Sequence, residues 1–162
     1  MILSALSGSL FAGGKDGLVI FSLILGGTLV TAASNGANQI WERDLDKFMN
    51  RTNRRPLPTG QMSLREAYII CTFSLITGTI LLALINWKSA ILGVLAFISY
   101  VFIYTPLKQK TPWAVFVGAF PGAIPPLLGA IAHTNAFGFE PGVLFFVQFT
   151  WQFPHFWAIA WV

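Results

Sequence analysis

Charge is scarce in this sequence. Only 10% of its 162 residues are charged and 55% are hydrophobic, whereas ordinary soluble domains carry about 25% charged residues. A composition so poor in charge excludes an ordinary soluble globular domain.

Cysteine is also scarce, since Cys71 is the only one and lies in an apolar stretch. One cysteine cannot supply a disulfide framework or a thiolate metal cluster. The opening stretch lacks the Lys/Arg-rich start of a secretory signal peptide, so we do not interpret it as a cleaved leader. Although the net charge is +4, basic residues in so apolar a chain report membrane orientation first, and we expect no nucleic-acid partner.

What the sequence does have is long apolar segments. Each of five is about 19 residues or longer, the length that a helix needs to cross roughly 30 Å of hydrocarbon. Because backbone polar groups in lipid must be satisfied within the segment, these spans predict an all-α, polytopic membrane helical bundle. We expect residues 1–162 to form a single, incomplete domain, because the opening stretch is half a helix long and the last segment has no polar flank. The long segments are 17–41, 67–87, 89–107, 111–139 and 141–162, preceded by the shorter 1–14.

The basic residues predict the orientation of the bundle. Six of the ten Lys/Arg lie in the polar segment 42–66. Two more, Lys108 and Lys110, follow the spans 67–87 and 89–107. The other two, Lys15 and Lys88, fall in the alternate loops. By the positive-inside rule the eight face the cytoplasm, so we expect an integral protein of a bacterial cytoplasmic membrane with segment 42–66 as a cytoplasmic motif loop.

Three oxygen-bearing side chains mark the cytoplasmic end of the first long segment. Asn38, Glu42 and Asp46 follow one another at intervals of four, so on a continuous helix they share one face, about 40° apart. Such hard oxygen ligands suit Mg²⁺, which takes one or two protein carboxylates and completes its shell with water and substrate phosphate. The spacing therefore predicts a magnesium site at the edge of the membrane.

Basic side chains follow this stripe at once. Arg51, Arg54 and Arg55 lie within five residues, and guanidinium groups match phosphate oxygens bidentately. Lys108, on the same side, adds a point charge for a diphosphate or serves only to set the topology. Carboxylates for a metal and arginines for phosphate, beside an apolar bundle, favour a site for a lipid diphosphate. The alternative is a solvated loop whose acids and bases pair with each other and whose arginines bind anionic lipid heads.

These motifs resemble a known family. The run Asn38-xxx-Glu42-xxx-Asp46, followed by Met49-x-Arg51-Thr52-x-x-Arg55-Pro56-Leu57, resembles the first acidic motif of the UbiA-type intramembrane prenyltransferases. Three further blocks agree in order and spacing and are most similar to the haem-prenylating branch. They are Tyr104-Thr-Pro-Leu-Lys108, the run from Gly118 to Gly129, and Trp151-Gln-Phe-Pro-His-Phe-Trp157.

The chain also departs from the family pattern. Glu42 stands where the commoner pattern has Asp, and Gln39 stands where many members have a second acid. The resemblance implies nine helices and a second acidic motif after the sixth helix, which this sequence does not include. We therefore expect the isolated chain to bind substrate weakly and not to turn over.

The resemblance implies an activity. It would be transfer of the farnesyl group of farnesyl diphosphate to a vinyl group of haem b, giving haem O and diphosphate, with handover to haem A synthase or cytochrome oxidase assembly. It assigns Asn38, Glu42 and Asp46 to Mg²⁺ as cofactor. It assigns the diphosphate to the basic residues Arg51, Arg54, Arg55 and Lys108.

The last segment carries a histidine deep in the predicted bilayer. His155 lies 14 positions after Pro141, about 21 Å of helical rise, and ionisable groups at such depth are functional candidates. Its roles under the resemblance are axial ligand to haem iron, partner of a propionate or proton acceptor; the alternative is a neutral histidine bonded to a neighbouring helix. Trp151 and Trp157, with Phe153 and Phe156, would offer flat apolar surface to the macrocycle.

Other features leave alternatives open. Pro121, Pro125 and Pro126 remove backbone donors within one span, which suits the wall of a cavity or a packing kink with close helix contact. A sister prenyltransferase acting on 4-hydroxybenzoate, a naphthoate or a chlorophyllide is the nearest competing function. A transporter piece or a non-catalytic membrane fragment is the alternative of another class; transporters place polar groups at midplane, whereas these charges lie at the edge. We interpret His133 as a surface loop residue.

Overall fold

A computed structural model of the protein describes residues 1–160, and all regular structure in that range is helical. The predicted all-α class is confirmed. Helix α4 continues directly into a π-helix over Ser99–Tyr104 and the short turn α5. The helices are α1 (Ile2–Phe11), α2 (Gly17–Asp46), α3 (Leu64–Ile85), α4 (Trp87–Ile98), α5 (Thr105–Leu107), α6 (Ala114–Thr134) and α7 (Phe139–Ala160).

In the described residues, four helices are long and apolar enough to cross a bilayer: α2, α3, the composite Trp87–Leu107 and α6. Helix α1 has 10 residues, half a span, as the sequence predicts. Helix α7 has the length, 22 residues, but is not among the four apolar spans, since its polar residues dilute the hydrophobic ones. The predicted segment 141–162 extends at 161–162 beyond the described residues.

Local signals fix where the helices begin and end. The carboxylate of Asp16 accepts a bond from the N–H of Leu18 at 2.9 Å and caps α2. Ser63 and Glu66 form a reciprocal capping box at the start of α3, which satisfies backbone donors that no helical carbonyl can reach. Because α2 runs on through Asp46, the connection is 47–63, shorter than the loop 42–66 expected from the sequence.

Small residues allow the helices to approach closely. A Cβ on Gly78 of α3 would lie 2.9 Å from the carbonyl oxygen of Gly26 on α2. A Cβ on Gly129 of α6 would run into the carbonyl oxygen of Ala5 on α1. Since lipid gives no hydrophobic drive between helices, such close backbone packing is what holds a membrane bundle together.

Helix α6 is continuous through its three prolines and is the most buried of the four spans. Pro126 has no N–H, so the carbonyl of Gly122 loses its helical donor. The side-chain amide of Gln152 on α7 donates to that carbonyl at 3.3 Å. Phenylalanines of both helices complete the contact, with ring centroids 5.0–5.7 Å apart between Phe116 or Phe120 and Phe149.

Polar contacts mark the two ends of the bundle. At one end Lys88 donates to the carbonyl of Asn135, and the amide of Asn86 donates to the carbonyl of Ile131. At the other end Lys108 contacts Glu42, so the two strongly basic connections lie together, as the alternation of loops predicts. His133 is in the last turn of α6 rather than in a loop, and it is exposed.

Candidate functional site

The polar stripe of α2 lies at the Lys108 end of the bundle. Asn38 is 7% and Asp46 2% exposed, whereas Asp44 is exposed and paired with Arg43 and Lys47. The continuous helix places Asn38, Glu42 and Asp46 on the inward face that their spacing predicts. Burial of these polar groups costs free energy unless each has a partner.

Asn38, Glu42 and Lys108 form one cluster. The Nδ2 of Asn38 donates to Oε2 of Glu42 at 2.9 Å. The Nζ of Lys108 donates to that same Oε2 at 2.9 Å and to Oδ1 of Asn38 at 3.1 Å. The Glu42 side chain is 13% exposed and that of Lys108 27%, so this ion pair is part-buried and only weakly screened by solvent.

Two neighbours that the sequence did not single out complete the cluster. The hydroxyl of Thr105 is 2.9 Å from Oδ1 of Asn38, and Nε2 of Gln109 donates to Oε1 of Glu42 at 3.3 Å. Thr105 belongs to the Tyr104–Lys108 block, and helical spacing from Lys108 would have put it on the same side. Only the tertiary contact shows that it faces Asn38, 67 positions earlier in the chain.

Asp46 is engaged by a different cation. Its Oδ2 accepts from Arg55 at 2.8 Å, and its backbone carbonyl accepts from the Thr52 hydroxyl at 3.3 Å. These contacts fold the start of the 47–63 connection back over the end of α2. Within the described residues, Asp46 therefore bonds to Arg55 and not to the cluster of Asn38, Glu42 and Lys108.

The other two predicted arginines lie apart from these contacts. Arg51 and Arg54 are both exposed on the connection, and neither is in an ion pair of residues 1–160. Both arginines are at the same end of the bundle as the cluster. Because they are exposed, their guanidinium groups are accessible to a ligand that arrives from the aqueous side.

A cavity of about 350 Å³ opens beside the cluster. Tyr104 is common to both: its ring centroid is 5.5 Å from Nζ of Lys108, and the residue lines the cavity. Gly118 lets that ring pack against α6, since a Cβ there would lie 2.7 Å from the ring atoms. Tyr104 thus links the charged cluster to the cavity.

Some of the predicted site residues of α7 line this cavity and others do not. Trp151 and His155 line it, together with Gln152. Trp157 is 67% exposed and is not among the lining residues. Phe153 turns instead to α6, with its ring centroid 6.2 Å from that of Phe116. His155 is exposed, and no hydrogen bond within residues 1–160 involves it, so the neighbouring-helix bond considered above is not formed there.

The donor set at the cluster fits a hard divalent cation. Oδ1 of Asn38 and Oε2 of Glu42 both accept from the ammonium of Lys108, so one cation already lies between these two oxygens, and Asp46 follows one turn on. Among the described residues no three or more His, Cys, Asp or Glu side chains converge as a ready-made cage. Mg²⁺ does not require one, because it is usually held by one or two carboxylates with water and substrate phosphates as the remaining ligands.

The fold and site define a membrane-spanning helical bundle with a part-buried charged cluster at one end and a cavity against it. The chain belongs to the UbiA prenyltransferase family, whose model matches residues 1–162, and this confirms the resemblance seen in the sequence.

Relatives and a solved structure agree with that membership. The chain is 54% identical over 143 residues to the protoheme IX farnesyltransferase of Flavobacterium psychrophilum, covering 88% of this chain and 48% of the relative. The corresponding protein of Cytophaga hutchinsonii is 52% identical over 151 residues, covering 93% and 53%. The apo structure of a UbiA homolog from Aeropyrum pernix K1 matches with a TM-score of 0.79 at 21% identity, covering 93% of this chain and 58% of that one. The chain thus spans about half the length of the curated relatives it matches.

Proposed function

We propose that the protein, at the full length of its relatives, is a protohaem IX farnesyltransferase that joins the farnesyl group of farnesyl diphosphate to a vinyl group of haem b. The observation that carries the proposal is the cluster of Asn38, Glu42 and Lys108, which Tyr104 links to the cavity. Sequence identity of 54% and 52% to two proteins of that name supports the choice of acceptor.

The hard step is separation of an allylic cation from a highly charged leaving group next to lipid. Lys108, Arg51, Arg54 and Arg55 would bind the diphosphate and stabilise the charge that builds on it as the carbon–oxygen bond breaks. Mg²⁺, held by Asn38, Glu42 and Asp46, would supply further neutralisation of that charge.

The same contacts suggest how the site rests between turnovers. Lys108 and Arg55 are each bound to a carboxylate, so the cations that would take the diphosphate are held in place by the acids that would take the metal. Substrate and metal arriving together satisfy both sets of charges at once. This arrangement favours binding of the metal diphosphate over binding of either part alone.

The cavity would receive the acceptor. Trp151 and Phe156 provide apolar surface for a macrocycle, and His155 is accessible to it as iron ligand, propionate partner or proton acceptor. Tyr104, between cavity and cluster, would separate the reacting vinyl group from bulk water. Product would leave to the enzymes that make haem A or assemble cytochrome oxidase.

The proposal includes the location of the site. The end of the bundle with the 47–63 connection would face the cytoplasm of a bacterial membrane, because the basic residues are concentrated there. With Cys71 replaced by Ala, single cysteines at Arg51 and Lys15 should be labelled from opposite sides of inverted membrane vesicles. Labelling of Arg51→Cys from the periplasmic side would contradict this orientation.

The central test uses the full-length protein in detergent with farnesyl diphosphate, Mg²⁺ and haem b, and identifies the product by mass. Glu42→Gln should abolish haem O formation, and Asp44→Asn is the matched control, since Asp44 is on the same helix but turned away and exposed. Parallel reactions with 4-hydroxybenzoate, a naphthoate and a chlorophyllide test the sister acceptors. Prenylation of one of these instead of haem b would overturn the acceptor, and full haem O yield from Glu42→Gln would overturn the metal site.

A further inference from the structure

We propose that Thr105 is a positioning residue, whose hydroxyl fixes the carboxamide of Asn38 in the orientation that the metal diphosphate requires. The inference rests on the proposed function and deepens it. The side chain of Thr105 is completely buried, so it would act through Asn38 and without contact to substrate.

The neighbours of Asn38 determine which way its amide points. Lys108 donates to one end of the amide at 3.1 Å, and Glu42 accepts from the other end at 2.9 Å. A flipped amide would aim its NH₂ at an ammonium and its oxygen at a carboxylate, and both contacts would be repulsive. The oxygen of Asn38 therefore faces Lys108 and Thr105, while its nitrogen faces Glu42.

That orientation determines what the hydroxyl does. The Oγ1 of Thr105 is 2.9 Å from Oδ1 of Asn38 and 2.9 Å from the carbonyl oxygen of Tyr100, but a hydroxyl has one proton to donate. The Tyr100 carbonyl already accepts from the backbone N–H of Thr105. Because both acceptors are equally close and each already has another donor, they share this one proton, and the hydroxyl ties the amide oxygen of Asn38 to the backbone of the π-helix.

The backbone holds Thr105 in this place. The π-helix over Ser99–Tyr104 ends at Thr105, and its wider turn accommodates Pro106, which lacks an N–H. Single-turn π segments of this kind are frequent at functional sites. Here the segment presents Tyr104 to the cavity and Thr105 to Asn38 within two consecutive residues.

The consequence appears when ligand binds. Oδ1 of Asn38 has two acceptor positions, now taken by Thr105 and Lys108. If Lys108 turns to the diphosphate, one position becomes free for a cation, and the Thr105 hydroxyl keeps the amide from rotating. Groups that orient metal ligands from outside typically change metal affinity about 10- to 100-fold when removed.

The experiment compares Thr105→Val, which keeps the shape and removes the hydroxyl, with Thr105→Ser, which keeps the hydroxyl. Binding of a farnesyl thiodiphosphate analogue to the full-length protein is measured over a range of Mg²⁺ concentrations, with thermal unfolding recorded alongside. We expect Thr105→Val to raise the Mg²⁺ concentration for half-maximal analogue binding about tenfold and Thr105→Ser to stay within about twofold of the unmodified protein. Ser99→Ala is the matched control, since its hydroxyl bonds only to carbonyls of its own helix.

The outcomes separate the two proposals. If the unmodified protein fails to bind the analogue with Mg²⁺, the proposed function fails. If it binds and Thr105→Val has the same Mg²⁺ dependence, or changes only the unfolding temperature, the role of Thr105 fails alone. Should the valine protein not be recovered, Thr105→Ala removes the same hydroxyl. In an Asn38→Ala background Thr105→Val should have no further effect, and an added tenfold shift there would also overturn the inference.

Discussion

The ammonium of Lys108 lies 2.9 Å from the carboxylate of Glu42, although the two residues are 66 positions apart in the chain. This contact joins the turn after the π-helix to the polar end of α2. Because both side chains are less than a third exposed, each charge depends on the other for neutralisation. The pair thus links the stability of this end of the bundle to the chemistry proposed for it.

Lys108→Met should destabilise the protein, because Glu42 would keep a part-buried charge without its main partner. Leaving one member of such a pair costs about 3–5 kcal/mol when fully buried, and less here because solvent reaches both groups. The double variant Lys108→Met with Glu42→Gln should recover part of the loss in thermal unfolding of the detergent-solubilised protein. A double variant no more stable than Lys108→Met would contradict the pairing.

Arg55→Met should loosen the 47–63 connection from α2, since it removes the 2.8 Å bond to the buried Asp46. The expected signs are faster proteolysis of that connection and weaker binding of farnesyl diphosphate. Arg54→Met is the matched control for proteolysis, because Arg54 is exposed on the same connection without an ion pair among the described residues. Equal cleavage of both variants would show that the Asp46 bond does not hold the segment.

Gly118→Ala should displace the ring of Tyr104, because the new Cβ would lie 2.7 Å from ring atoms. Overpacking of this kind costs about 1–3 kcal/mol and here moves the ring that separates cluster from cavity. We expect the rate of haem O formation to fall about tenfold or more. A tenfold fall corresponds to an activation barrier that is higher by roughly 1.4 kcal/mol. Gly142→Ala, with nothing within 4 Å of its Cβ, should leave the rate unchanged, and equal rates for both variants would contradict the prediction.

Gln152→Leu should lower stability, because the Gly122 carbonyl has its helical donor removed by Pro126 and accepts from Gln152. An unsatisfied buried carbonyl costs about 1–3 kcal/mol, and the carbonyl of the part-buried Gly122 costs less, which is still measurable as a lower midpoint of thermal unfolding. Gln148→Leu provides the control, since Gln148 lines the same cavity and donates no hydrogen bond within residues 1–160. A midpoint for Gln152→Leu equal to that of the control would show that water satisfies the carbonyl equally well.

Much of the site was predictable from local patterns. The four-residue spacing of Asn38, Glu42 and Asp46 places them on one face of any helix, so the stripe followed from periodicity once α2 was recognised. The ion-pair partners of these acids were not predictable in this way. Asp46 pairs with Arg55 because the 47–63 connection folds back over α2, and Glu42 pairs with Lys108 because of how α4 packs. The sequence likewise treated Trp151 and Trp157 as equivalent, but six residues on a helix turn a side chain to a different side, and only Trp151 reaches the cavity.

The sequence by itself determined the helical class, the polar end of the bundle and the family, because composition, apolar length and motif spacing are properties of the chain alone. The tertiary structure decided the amide orientation of Asn38, the contact of Thr105 with it, and the position of Tyr104 between charge and cavity. These depend on the π-helix and on close approach between helices far apart in the chain, and backbone geometry of that kind has no local signature in the order of residues.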